Sequence, residues 1–378
     1  MHQRRIPYHL TQIKNASKNK HTIKIKIMAI KTSNSKTLSS SSLTPASNSN
    51  MIKGKNYHHQ QRRSSKRKST CKYENDIGDN NTTTSSYELC DMNSKISFII
   101  SRLTAQELEM AARSSSYEYL KNPVPSKRNQ FARRIVQKYL ESKNGDVDVA
   151  LEKIKKTLQF RQEIQIDDLI TAFDDSKDEN ENDEEDGDEN NTTAEILKKY
   201  LSSKKYFVQG YDKYGRSTLY FIPRLVSEHD LEWTLKEAIY SIERAIACSR
   251  SEDGTINAVV DFSGFSLSQH SPPLEIGKQF LTTLRSHYAG QINRIYLINT
   301  PFSFSFLWNI FSPFIGTNTR DKILIVNGAQ SKTRDVLDLY DLEEVPSWLV
   351  PGGENNRPLD LDEYLYELSF DTAFNNQS

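Results

Sequence analysis

The 378-residue chain is poor in cysteine: Cys71, Cys90 and Cys248 stand far apart and form no CxxC pair. That argues against a disulfide framework or a thiolate zinc site and fits a reducing compartment. No uninterrupted apolar run approaches the roughly 18 residues of a membrane-spanning helix, and the start of the chain lacks the apolar core of a secretory signal. Glycine-rich phosphate loops, a GxGxxG fingerprint and a GxSxG elbow are also missing, which leaves nucleotide-dependent enzymes and that class of hydrolase unsupported. His229, His270 and His287 are isolated, without metal-binding spacing. Asp261 ends an apolar run, where a catalytic carboxylate could sit in an open α/β sheet. No nucleophile or base accompanies it, so we assign it to capping a loop. From these absences we expect no enzyme, no catalytic residue, no metal and no cofactor.

Acid is missing from the first 73 residues, whereas Asp174 to Glu189 is almost wholly acidic, so the net charge of +1 conceals strong segregation. Residues 1–95, rich in Ser, Asn, Lys and Thr, are too polar to offset the entropy of ordering and read as a disordered basic arm. Within it, Arg62-Arg63-Ser64-Ser65-Lys66-Arg67-Lys68 suits a nuclear address, anionic lipid or nucleic acid, and the acid-poor start suits an organelle transit peptide. A solvated tail is the plain alternative, and we do not expect nucleic acid as the partner. Met28 and Met51 are alternative starts. The acidic stretch repels itself and reads as a linker, residues 173–193.

Between these segments, residues 96–172 read as a small helical module. Thr104-Ala105-Gln106-Glu107 is a capping box for a helical stripe through Leu108, Ala111, Ala112 and Tyr119, stopped by Pro123 and Pro125. Phe131, Ile135, Val136, Tyr139 and Leu140 share one face of a second helix. Asp146 or Asp148 caps a third, carrying Ala150, Leu151, Ile154, Leu158 and Arg161. Residues 194–370 then alternate strand and helix. Tyr206-Phe207-Val208 and Thr218–Ile222 flank the turn Asp212-Lys213-Tyr214-Gly215, a hairpin. A helix over 230–249, the strand Asn257–Asp261 and a helix over 274–286 follow. Helices near Thr333–Tyr340 and Asp360–Leu368 close the chain. The fold class is therefore α/β: a helical module, then a mostly parallel sheet covered by helices.

The densest feature is residues 287–326. Ile295-Tyr296-Leu297-Ile298 and Lys322–Val326 read as buried strands. Between them Phe302, Phe304, Phe306, Leu307, Trp308, Ile310, Phe311 and Phe314 crowd one helix. Such a helix is roughly 20 Å long, short of the bilayer's apolar thickness. It is core, an interfacial element or a lid over an apolar cavity; on residues alone, core is the default.

Several motifs in order carry a resemblance. They are YDKYGRSTLYFIPR (Tyr211–Arg224), VVDFSGFSL (Val259–Leu267), HYAGQINRIYLINTPFSFSFLWNIFSPFIGTNTRDKI (His287–Ile323) and VPSWLVPGG (Val345–Gly353). From about Arg128 onward the chain is similar to the CRAL-TRIO lipid-binding family. The resemblance implies a cavity on a mostly parallel sheet, closed by a mobile gate helix onto which Phe302–Phe314 falls. It implies transfer of a single lipid, a transient encounter with a phospholipid membrane surface, and a cytoplasmic monomer. In phosphatidylinositol-binding members a Thr-x-x-Lys pair follows the gate; here it is Thr319 and Lys322. A basic pair after the second helix maps to Lys143 and Asn144, so half of it is missing. Positions that hold a choline headgroup map to Ile256 and Ala258, which are apolar. Tyr206, Tyr220 and Phe221 are candidate cavity-wall residues, with hairpin core as the alternative. The expected ligand is phosphatidylinositol or a related phosphoinositide. The alternatives are a tocopherol, retinoid or sterol, or a membrane-recruited scaffold acting through the basic arm.

Overall fold

The computed structural model describes residues 91–174, 192–225, 230–270, 274–288 and 290–375. The basic arm up to residue 90, nearly all of the acidic linker and His229 lie outside them. The described residues belong to one compact unit, Glu88–Ser378.

The helical module contains six helices, twice the number read from periodicity. α1 (Met92–Arg102) starts earlier than expected because the Asp91 carboxylate accepts from the Ser94 amide. α2 (Ala105–Arg113) has the expected reciprocal capping box between Thr104 and Glu107. The stripe does not run on to Tyr119. Ser114 and Ser115 turn their hydroxyls back onto the Ala111 carbonyl, and Ser116 caps a separate α3 (Tyr117–Lys121). Serine competes for the backbone bonds that would have continued the helix. α4 (Arg128–Ser142) and α5 (Val147–Ile164) form a hairpin, with Asp146 capping α5. Ile96, Ile99, Ala111, Val136, Leu140, Ile154 and Leu158 fill the space between these helices. α6 (Ile166–Ile170) follows a left-handed Gln165. It packs with α7 (Thr193–Leu201), α8 (Leu231–Cys248) and the C-terminal segment around Tyr364, Phe370 and Phe374.

The sheet has the order β1 (Tyr206–Tyr211), β2 (Ser217–Phe221), β3 (Ile256–Asp261), β4 (Ile292–Ile298), β5 (Ile323–Val326). Only the β1–β2 hairpin is antiparallel; the other three pairings are parallel. In the hairpin turn Asp212 Oδ1 accepts from the amides of Tyr214 and Arg216, and Gly215 takes φ +76°, a value costly for any residue with a Cβ. The remaining helices are α9 (Leu267–His270), α10 (Leu274–His287), α11 (Phe304–Phe311), α12 (Thr317–Arg320) and α13 (Ala329–Leu337). The expected last helix is a π-type turn, Glu363–Glu367.

Two buried ion pairs fasten helices to this frame. Arg161 on α5 meets Glu243 on α8 at 2.5 Å, and the Tyr288 hydroxyl donates to the same carboxylate at 2.9 Å. Lys205 and Glu237 are 2.6 Å apart and fully enclosed. Burial pushes the Glu237 carboxyl up to about 7, although Lys205 opposes the shift.

Candidate functional site

Side chains alternate along a strand, so the register assigns each to one of two faces. The face bearing Phe207, Tyr220, Val259, Tyr296, Ile298 and Val326 is packed shut against Val336, Tyr340, Val345, Leu349 and Val350. Tyr220 belongs there, stacked on Phe207 at 4.9 Å, and is sealed from solvent. Its neighbour Phe221 points the opposite way, so the two cannot line one cavity; for Tyr220, hairpin core is the outcome.

The other face carries Tyr206, Val208, Leu219, Phe221, Ile256, Ala258 and Val260, and continues through Ile295, Leu297, Ile323 and Ile325. Its hairpin side is closed beneath α8: Val208, Leu219 and Ile256 pack on Ile242, Ala245 and Cys248. Tyr206 and Ile256 are buried in that closed part, with Tyr206 stacked on Phe221 at 4.6 Å. Towards β4 and β5 the cover thins. Phe221, Ala258, Val260, Ile295 and Ile323 are half-buried, and Ile325 is 52% exposed, whereas adjacent Val326 is 0%. One face is a finished core. The other leaves an apolar strip incompletely covered.

α11 lies in the connection between β4 and β5, the strands that carry the less covered part of this strip. Although Phe304, Phe306, Leu307, Trp308, Ile310 and Phe311 lie on it, none of its residues is buried. The core reading from residues alone is not met: no residue of this helix is buried, and none belongs to the buried hydrophobic clusters. Phe304 touches Phe262 (5.3 Å) and Trp308 (6.1 Å), and Phe314, in the following 3-10 turn, lies under the Lys278 ammonium at 5.4 Å. Phe302 is fully exposed and Phe306 46% exposed. Phe311 sits against Gly277 of α10 so closely that a Cβ there would fall 2.5 Å from its Cε1. A lone glycine within an amphipathic helix gave no signal of this in the sequence.

The start of the aromatic segment is tied to strand termini, and its far end to the short helix that follows. Asn299, at φ +52°, donates to Asp261 at 2.7 Å and accepts from Lys332 at 2.9 Å. Thr300 and Asn327 exchange two hydrogen bonds, at 2.9 and 2.6 Å. Burial opposes the Asp261 charge, but donors on Ser263 and Asn299, with Arg224 nearby, hold its carboxyl below the usual range. Asp261 therefore has the loop-organising place expected of it. At the far end Arg320 donates to the carbonyls of Ser312 (2.6 Å) and Ile315 (3.4 Å).

Thr319 and Lys322 share one turn, the Lys322 amide donating to the Thr319 carbonyl at 3.1 Å. The Lys322 ammonium, half-buried and lowered in pKa by that burial, donates to the Ile292 carbonyl at 2.5 Å, with Asp253 and Arg294 as its charged neighbours. Lys143 closes α4. Its ammonium is also held below its ordinary value, first by burial and then by Lys153 and Arg285. Lys143 and Lys322 thus belong to separate clusters of charge. The two described histidines are structural: His270 accepts from the Ser266 amide at 2.9 Å, and His287 stacks on Phe160 with ring centroids 4.0 Å apart.

A mostly parallel sheet with one closed face, one half-open apolar face and an aromatic helix in the β4–β5 connection is the arrangement to compare with known proteins. The CRAL/TRIO domain model matches residues 201–349. A CRAL-TRIO domain-containing protein of Schizosaccharomyces pombe is 24% identical over 58% of this chain and 19% of its own length. A protein of the same description from Saccharomyces cerevisiae is 24% identical over 55% of this chain and 67% of its own. The SEC14 cytosolic factor of Kluyveromyces lactis is 28% identical over 30% of this chain and 40% of its own. The crystal structure of Sfh5 superposes with a TM-score of 0.50 at 12% identity, covering 75% of this chain and 94% of that one. Residues 201–349 thus match the CRAL/TRIO domain, and the chain is similar to Sec14-like proteins in sequence and to Sfh5 in fold.

Proposed function

We propose that the protein binds one lipid on the half-open face of the sheet and carries it between membranes, with α11 as the gate. The observation that carries this reading is an apolar strip left open on β4 and β5, together with an aromatic helix in the connection between those strands that buries none of its residues. A bound acyl chain would cover both. Exposed Phe302 and Phe306 supply the transient contact with a bilayer surface, and the protein needs no covalent chemistry for the task. No helix among the described residues is long and apolar enough to cross a membrane, which fits peripheral attachment.

We assign the headgroup to Thr319 and Lys322, with phosphatidylinositol or a related phosphoinositide as the ligand. The Lys322 ammonium can exchange a carbonyl for a phosphate oxygen, a stronger charge-assisted bond. Transfer of fluorescent phosphatidylinositol between vesicles tests this: Lys322→Ala should lower the rate about tenfold, the value of one such bond, with the melting temperature retained. An unchanged rate would refute the headgroup assignment. Ala258, apolar and on the open strip, favours a second reading, in which the cargo is a tocopherol-, retinoid- or sterol-like molecule without a charged headgroup.

A further inference from the structure

The C-terminal end of α10 is locked onto the α4–α5 hairpin by a buried polar junction. The Tyr139 hydroxyl donates to the His287 carbonyl at 2.9 Å and shares a 2.6 Å hydrogen bond with Thr157, whose hydroxyl lies 3.3 Å from His287 Nδ1. The stack of His287 on Phe160 completes it. Lys143 follows Tyr139 by one helical turn and Lys153 precedes Thr157 by one turn. Because α4 and α5 run in opposite directions, both lysines lie towards the hairpin's tip. Arg285, two residues before His287, brings a third cation from α10. Its Nε lies 3.8 Å from the position of a Cβ on Gly316, so it packs along the turn that leads to Thr319.

Three cations from three elements are therefore held together by contacts that involve none of their charged groups. Lys143 and Lys153 are half-buried and Arg285 is exposed, so all three reach solvent. Among the described residues none of them is ion-paired with a carboxylate. Of the acids near the tip, Glu141 accepts from Gln137 and Asp146 from the Val149 amide, and exposed Asp148 is paired with none of the three cations among the described residues. Gathering like charges without counter-charge is unfavourable, and an anion relieves it. One phosphodiester, with a single charge, is a poor match for three cations. A phosphomonoester, at about −1.5 to −2, is a better one.

We propose that Lys143, Lys153 and Arg285 form one site for the phosphomonoester of a phosphorylated inositol, so that the protein prefers a phosphoinositide monophosphate to phosphatidylinositol itself. This rests on the lipid-binding reading but uses two residues outside the Thr-x-x-Lys motif.

The test compares the full-length protein with its Lys153→Gln/Arg285→Gln variant, which leaves the junction intact and should melt at the same temperature. Each is incubated with phosphatidylcholine vesicles containing phosphatidylinositol or phosphatidylinositol monophosphate, re-isolated, and its lipid quantified. The native protein should extract the monophosphate preferentially. The variant should lose at least about tenfold of that preference, the equivalent of one charge-assisted contact, with phosphatidylinositol extraction within about twofold of native. A native protein without the preference, or a variant that keeps it, overturns the proposal while leaving lipid binding intact. If neither lipid is extracted, the lipid-binding reading fails, and calorimetry with soluble inositol trisphosphate decides the site. Native binding about tenfold tighter than the variant's supports an anion site for the free headgroup; equal or absent binding overturns it.

Discussion

Gly277→Ala separates a gate from a piece of core. The new Cβ would lie 2.5 Å from Phe311 Cε1 and 2.8 Å from Cζ, where carbon atoms normally keep about 3.5–4.0 Å. The ring or its helix must retreat by about 1 Å. If α11 were core, that displacement would appear as overpacking, at about 1–3 kcal/mol of global stability. None of α11 is buried, however, so the helix can swing away from α10 at little cost. Alanine also improves α10 itself by roughly 0.5–1 kcal/mol over glycine. The expected result is a melting temperature equal to or slightly above native. The closed gate loses part of the Phe311 contact, about 1 kcal/mol for a half-buried ring, which shifts an open–closed equilibrium roughly fivefold. Hydrogen exchange in residues 304–311 and vesicle-to-vesicle transfer report that shift, and both should accelerate. Adding Phe311→Ala should abolish the effect of Gly277→Ala, because the two positions act through one contact. A variant that melts lower while exchange in α11 stays native would refute the reasoning and return the helix to the core.

Phe302→Ser/Phe306→Ser should weaken vesicle binding by at least about tenfold, since each ring contributes up to about 1.5–3 kcal/mol when transferred to an apolar phase. The melting temperature should not change, because Phe302 is already fully exposed; a loss of stability instead would mean that the rings serve the fold. His287 supplies a pH dependence. Burial, with the Lys153 charge, holds its imidazole near about 4 instead of 6.5. The folded protein resists protonation that the unfolded chain accepts, so this contribution is complete above pH 6.5 and is lost as pH falls towards 4. The ring is partly solvated, which limits the effect to about 1 kcal/mol. Thermal melts across that window should have a shallower slope for His287→Gln, and an identical slope would contradict the assignment.

Much of the architecture was legible because it is written locally. The Thr104–Glu107 capping box, the Asp146 cap and the Asp212–Gly215 turn are sequence signatures of backbone geometry, and each forms as expected. The break at Ser114–Ser116 was missed because alanine and leucine periodicity passes through it, while serine's competition with the helix is visible only in the hydroxyl bonds to Ala111. Assigning Tyr220 and Phe221 to one wall ignored the two-residue period of a strand. The aromatic segment needed both the motif order around it and the exposure of its residues to leave the core. Gly277, Lys153 and Arg285 were illegible for one reason: each acquires meaning from a partner far along the chain, and spacing carries no record of that.

Lipid binding is tested most directly by what the purified protein carries. Protein purified from a heterologous host, stripped of loosely bound detergent and extracted into organic solvent, should give by mass spectrometry about one phosphoinositide molecule per chain. It should exchange for added phosphatidylinositol. An empty protein that takes up no lipid from vesicles would contradict the account, whereas a tightly held sterol or other uncharged apolar molecule would move the ligand to the second reading.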